Sequence, residues 1–152
     1  MGGYRYTVED SHTISVFHLN REGAFEIGPL SRNITIRWYD ILTGINHAKI
    51  GMTLNKGRNG GLIATFDYQV TVIESGDSYR MNYSVDLTST PCNFGGHRYW
   101  FSCPECGRRV ATLHMPPWQT RFACRSCHNL TYLSRRDPSV HRMLAAIKKM
   151  HG

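Results

Sequence analysis

Four of the five cysteines fall in two Cys-x-x-Cys pairs, Cys103-Pro-Glu-Cys106 and Cys124-Arg-Ser-Cys127, separated by seventeen residues. Each pair can bend into a tight knuckle that aims two sulfurs at one point, and two facing knuckles complete a tetrahedron. The chain between them must therefore turn back on itself. Gly107 suits that geometry because it takes positive φ without a Cβ clash, and Asn129 is one of the few non-glycine types that tolerate it. The spacing predicts that Cys103, Cys106, Cys124 and Cys127 bind Zn²⁺ as a four-cysteine zinc ribbon. Four protein ligands leave no open position for water, so the metal is expected to hold shape and not to cut bonds. A four-cysteine iron centre has the same ligand chemistry and is distinguished by strong visible colour.

Other uses of the cysteines fit less well. A disulfide framework needs an oxidising compartment, and a thioredoxin-like redox pair needs no second Cys-x-x-Cys. The opening MGGYRYTVED lacks the basic-then-apolar order of a secretory signal, and no apolar run approaches the ~18–20 residues of a bilayer helix. A cytoplasmic protein without a membrane partner is the expectation. Cys92, the fifth cysteine, has no Cys-His-Asn signature around it and reads as a small buried apolar residue. His114 and His128 lie near the knuckles, but four sulfurs already satisfy the metal, so contact with solvent, phosphate or a partner is expected of them.

Charge is unevenly spread along the chain. Lys plus Arg total 18 against 11 Asp plus Glu, a formal +7. Residues 1–90 hold 8 basic and 9 acidic side chains, whereas the remainder holds 10 basic residues against only Glu105 and Asp137. A Zn²⁺ ion with four thiolates adds about −2 and leaves the chain strongly basic. Eight of those ten are arginines, which suit bidentate contact with phosphate or guanine. The bland alternative is a solvated surface that aids solubility.

Beyond Pro29, Arg32–Asp40, His47–Leu54, Leu62–Ile73 and Tyr79–Thr88 are rich in β-branched and aromatic residues with period-two alternation. Glycine-containing turns separate them, which predicts an antiparallel meander. Trp38, Phe66, Tyr68 and Tyr83 read as core or cross-strand packing. Residues 9–23 run from capping-type Asp10 and Ser11 to Gly23 and favour a short helix, although Ile14, Val16, Phe17 and Leu19 fit a strand almost as well. In the ribbon, Tyr99–Ser102 should enter the first knuckle and Arg109–Met115 leave it. Pro116–Gln119 should turn, Arg121–Cys124 enter the second knuckle and Thr131–Leu133 close the sheet. Asp137-Pro138 then opens an amphipathic tail helix with Val140, Met143, Leu144 and Ile147 on one face. The expected fold class is mainly β (α+β). It comprises a β-rich domain with a short helix at 1–90, a four-cysteine zinc ribbon at 91–136 and a terminal helix at 137–152.

The stretch TPCNFGGHRYWFSCPECGRRVATLHMPPWQTRFACRSCHNLTYLSRRDP resembles a bacterial family that pairs a β-rich N-terminal region with a terminal zinc ribbon and has no assigned activity. The likeness is strongest over residues 90–136 and extends more weakly to ISVFHLNREGAF. The resemblance implies that the four knuckle cysteines are metal ligands. Zinc ribbons more broadly occur in transcription factors, transposon-encoded proteins and ribosomal proteins, so it also implies an association with nucleic acid.

Three functions compete at this point. In the first, a non-enzymatic bacterial or bacteriophage-type protein binds nucleic acid through its ribbon. Arg108, Arg109, Arg121, Arg125, Arg135 and Arg136 would contact phosphates, while Trp118, His114 or His128 approach bases. In the second, the protein is an adaptor or inhibitor that docks on a larger protein or nucleoprotein complex. The third, an enzyme such as a nuclease, has no catalytic constellation to support it; Asp10, His12 and His18 are near one another in sequence but no motif orders them.

Overall fold

The computed structural model describes residues 7–26, 31–39, 46–57, 61–71, 75–116, 119–132 and 135. In chain order these form a 3₁₀ turn (Val8–Asp10), β1 (His12–Ser15), α1 (Val16–Arg21), β2 (Arg32–Tyr39) and β3 (Asn46–Lys56). There follow β4 (Leu62–Thr71), β5 (Ser78–Pro91), β6 (His97–Ser102), β7 (Arg109–Val110) and β8 (Thr112–Met115). The protein is mainly β, as the alternation predicts.

Strands β2 to β7 make one six-stranded antiparallel sheet in sequence order. Its register stacks apolar residues across neighbouring strands: Met52 pairs with Ile34 and Phe66, and Phe66 with Tyr83. A second apolar rung runs Leu62, Leu87, Phe101, Val110 across four strands. Because successive side chains alternate faces, the opposite face carries polar rungs such as Asn33, Thr53, Thr65 and Ser84. There Thr53 donates to Asn33 Oδ1 at 2.9 Å, and the Thr65 and Ser84 hydroxyls bond at 3.0 Å. The change of composition near Thr90 leaves the ladder continuous, with Thr90 paired to Arg98 and Pro91 to His97.

A covering layer built from both ends of the chain closes the apolar face. β1 pairs antiparallel with β8, from His12 opposite Met115 to Ser15 opposite Thr112. Ile14, Val16, Leu19, Leu113 and Phe122 are buried in the same core as Met52, Phe66 and Leu87. Ser15 ends β1 and caps α1, its hydroxyl accepting from the Phe17 N–H at 3.2 Å. Gly23, at φ 71°, stops the helix and lets Ala24 N–H return to Leu19 O at 2.9 Å. Phe25 then packs on Tyr99 with ring centroids 4.6 Å apart.

Two local expectations are corrected, and a third segment, which leaves the first knuckle as expected, is divided. Residues 12–21 are a strand followed by a helix, not one helix, because β8 supplies hydrogen-bond partners for His12–Ser15. Arg109–Met115 is two strands in two sheets: Ala111 O accepts the Val16 N–H at 2.9 Å, which diverts the chain from β6 to β1. Thr131 bridges in parallel to Thr7 and does not close the ribbon sheet. The expected tail helix at 137–152 lies outside the described residues. No helix among the described residues is long and apolar enough to cross a membrane.

Candidate metal centre

The core strand β6 delivers the first knuckle. Phe101 is anchored in the core, and the chain turns immediately after Ser102. Gly107 N–H donates to Cys103 O and Cys103 N–H to Arg108 O, both at 2.8 Å, with Gly107 at φ 75°. The second knuckle is aligned by Ala123 and His114, which exchange backbone hydrogen bonds of 2.8 and 3.0 Å. Its turn closes through His128 N–H to Cys124 O at 3.2 Å and Leu130 N–H to Arg125 O at 3.0 Å. Asn129 takes φ 52°, the left-handed conformation expected of it.

These turns bring Cys103, Cys106, Cys124 and Cys127 together, with all four sulfurs within 4.8 Å of one another. Cys103 Sγ lies 3.9 Å from Cys127 Sγ, and Cys106 Sγ lies 3.7 Å from Cys124 Sγ. A tetrahedral site with metal–sulfur bonds of about 2.3 Å places its sulfurs about 3.8 Å apart, which these two spacings match. Cys103 and Cys124 are each 3% exposed, while Cys106 and Cys127 face solvent. Each knuckle therefore contributes one inner and one outer sulfur. The Cys124 N–H donates to Cys103 Sγ at 3.3 Å.

The thiols compete for ionisation. Burial pushes Cys103 up, but the backbone N–H groups of Cys106, Cys124 and Glu105, with the Cys106 thiol, outweigh it and hold Cys103 at about 7. Burial and neighbouring thiols push Cys124 and Cys127 up. Without a cation Cys103 ionises while Cys124 and Cys127 resist, whereas a divalent ion among them reverses that balance. The cluster can hold a metal ion, and it is the one converging group of this kind found among the described residues.

An aromatic scaffold fixes the approach to the second knuckle. Phe122 is fully buried against Trp38, Phe66 and Tyr68, with centroids 6.0, 5.9 and 5.7 Å away. Its N–H donates to Tyr83 Oη at 2.9 Å, the Tyr83 and Tyr68 hydroxyls bond at 2.8 Å, and Tyr68 donates to Thr120 O. Each hydroxyl has one proton, so the chain is directed: Phe122 N–H to Tyr83, Tyr83 to Tyr68, Tyr68 to Thr120. Burial raises both phenol pKa values and keeps these protons in place. Period-two alternation marks the two tyrosines as core residues, but no local signal reveals bonds to a segment 39 to 52 residues away.

The remaining site residues are dispersed. Arg108 and Arg109 are exposed beside the first knuckle, and their guanidinium groups make no hydrogen bond or ion pair with other described residues. Arg121 is engaged, with Nη1 3.9 Å from Glu105 Oε1 and the guanidinium 4.7 Å over Tyr83. Arg125 donates to Leu130 O at 3.2 Å and covers Tyr132. Arg135 is exposed, whereas Arg136 and Trp118 lie outside the described residues. His114 is not placed to approach bases or solvent as expected: it is 7% exposed, and burial pushes its pKa down to about 4. His128 Nε2 lies 3.1 Å from Arg121 O. Cys92 is not buried as expected but exposed, because it lies in the β5–β6 turn at the opposite end of β6 from Cys103.

No family model, curated protein or solved structure matches the chain.

Proposed function

We propose that the four sulfurs hold a structural Zn²⁺ ion, and that the protein is a non-enzymatic, cytoplasmic zinc-ribbon protein that binds nucleic acid. Sulfur spacing near the tetrahedral value and ligand softness favour zinc, and four protein ligands leave no position for a reacting water. This agrees with the resemblance to ribbon-bearing bacterial proteins drawn from the sequence. The observation that carries the nucleic-acid reading is the placement of Arg108 and Arg109. They are exposed, without guanidinium partners among the described residues, on the loop and strand that the metal would stiffen. Arg135 is exposed as well, as are Arg121 and Arg125, which also contact Glu105 and Leu130 O within the ribbon.

The test has two arms. Elemental analysis of freshly isolated, reduced protein should give one zinc per chain. Titration with single-stranded and duplex DNA and RNA should show binding that weakens steeply as salt is raised. No binding to any of these at low salt overturns the nucleic-acid reading.

A second reading, an adaptor docking on a protein or nucleoprotein complex, is favoured by the fully exposed Phe94 at the β5–β6 turn. Co-purification with a defined protein that survives nuclease treatment, and is lost in Phe94→Ser, supports it.

A further inference from the structure

Arg98 lies toward the end of β6 remote from Cys103, outside the group of arginines that flanks the knuckles. Its guanidinium carbon sits over two aromatic faces, 3.9 Å from the Trp100 ring centroid and 4.7 Å from that of Phe17. Both rings are themselves positioned. The Trp100 indole N–H donates to Thr90 Oγ1 at 2.9 Å, and Phe17 stands in the first turn of the Ser15-capped helix α1. Cation–π contact with two rings restrains the guanidinium yet uses none of its five N–H donors in a hydrogen bond. Among the described residues no hydrogen bond or ion pair engages the Arg98 guanidinium.

An arginine restrained by two rings, with its N–H donors unengaged, matches a ligand presenting paired oxygens, because less side-chain freedom is left to lose on binding. Phe17 is 50% exposed, so part of its surface beyond Arg98 is available to a flat ligand. Strand alternation places Arg98, Trp100 and Ser102 on one face, and Arg109 pairs with Ser102. Arg98 and Arg109 thus stand on the same face, separated by about 13 Å along the strand, a span of a few nucleotides. Asp86 on β5 shares that face.

We propose that Arg98, clamped by Phe17 and Trp100, contacts a backbone phosphate of a single-stranded nucleic acid whose neighbouring base stacks on Phe17. The proposal rests on the nucleic-acid reading above and extends its surface from the ribbon along β6. Phosphate is favoured over a protein carboxylate by the excess of basic residues beyond residue 90. A single strand is favoured because a paired base has no face free to meet Phe17.

The full-length zinc-loaded protein is titrated with labelled oligothymidylate, and with the duplex it forms with oligoadenylate, over a range of salt. Arg98→Gln should weaken oligothymidylate binding roughly fivefold or more and make the logarithmic salt slope shallower by about 0.7, the loss of one single-strand phosphate contact. Arg98→Lys should keep the slope but lose affinity, because an ammonium does not stack as a guanidinium does. Phe17→Ala should lose roughly fivefold on oligothymidylate and leave the duplex unaffected. Metal content and thermal midpoint should match the unsubstituted protein. If the unsubstituted protein binds no nucleic acid, this proposal and the reading beneath it both fail. If it binds and Arg98→Gln and Phe17→Ala titrate identically to it, this proposal alone fails. Equal losses on duplex and single strand overturn the stacking assignment.

Discussion

Cys103 is the sulfur around which the cluster is organised: buried, accepting the Cys124 N–H, and ionising at about 7 where Cys124 and Cys127 resist. Cys103→Ser should abolish stoichiometric metal binding and cost about 3 kcal/mol or more of stability, since ligation is coupled to folding. Cys92→Ser, at an exposed turn, should change neither. Elemental analysis and urea unfolding check both. His114 offers a second test at the same scale, through proton linkage. The unfolded chain takes up the histidine proton near pH 6.5, while burial holds the folded pKa at about 4. Above about 6.5 neither state binds that proton and its contribution to stability is full. As pH falls from 6.5 to 4 the unfolded state binds more protons and stability declines. Thiolate ligation also weakens in acid, so the informative quantity is a difference. His114→Leu, which also removes a buried Nδ1 without a partner among the described residues, should show a shallower decline of the urea midpoint across that window. An unchanged slope refutes this account of His114.

At the scale of elements, the Tyr83–Tyr68 relay ties the segment before the second knuckle to β4 and β5. Tyr83→Phe keeps the ring but leaves the Phe122 N–H without its acceptor, at a cost of about 1–3 kcal/mol. Tyr68→Phe removes links in the same chain, so the double variant should lose less than the two single losses added. Strict additivity in urea unfolding counts against a shared chain. This tether also marks where local pattern stops being informative. Ile34, Ile36 and Trp38 on β2, and Leu62, Ala64, Phe66 and Tyr68 on β4, alternate cleanly because one face is buried, so these strands are legible from sequence. Paired Cys-x-x-Cys spacing likewise reveals the sulfur cluster, since two knuckles need little but their own turns. Residues 12–21 are not legible in the same way. Ile14 and Val16 are spaced for a strand and Val16 and Leu19 for a helix, and the choice is made by Leu113, opposite Ile14 but almost a hundred residues further along. The break at Ala111 has the same origin, because the N–H that captures its carbonyl belongs to Val16. Clamping of Arg98 by Phe17 is a third case, a pairing brought about only when α1 meets β6.

For the whole molecule, the cluster sits where a covering layer drawn from both ends of the chain meets a sheet drawn from the middle. β3, β4 and β5 have long ladders and apolar rungs of their own, which owe nothing to sulfur. The covering layer is held by shorter devices: four β1–β8 pairs, the His114–Ala123 bridge, the Thr7–Thr131 bridge and the two knuckles. Removing a metal held there would leave crowded thiols that reprotonate or repel, and the turns at 103–108 and 124–130 would lose their common anchor. Phe122, buried between the second knuckle and the β4 aromatics, carries that loss toward the core. Chelation under reducing conditions should therefore raise amide exchange first over residues 103–131 and in β1, whose ladder partner is β8, and lower the thermal midpoint. The β3–β5 ladder should remain protected until global unfolding. Readdition of Zn²⁺ should restore both protection and salt-sensitive nucleic-acid binding. If β1 stays protected while residues 103–131 open, the covering layer is not one unit; if β3–β5 exchange at the same rate as β1, the sheet and its cover unfold together and the metal supports the whole chain.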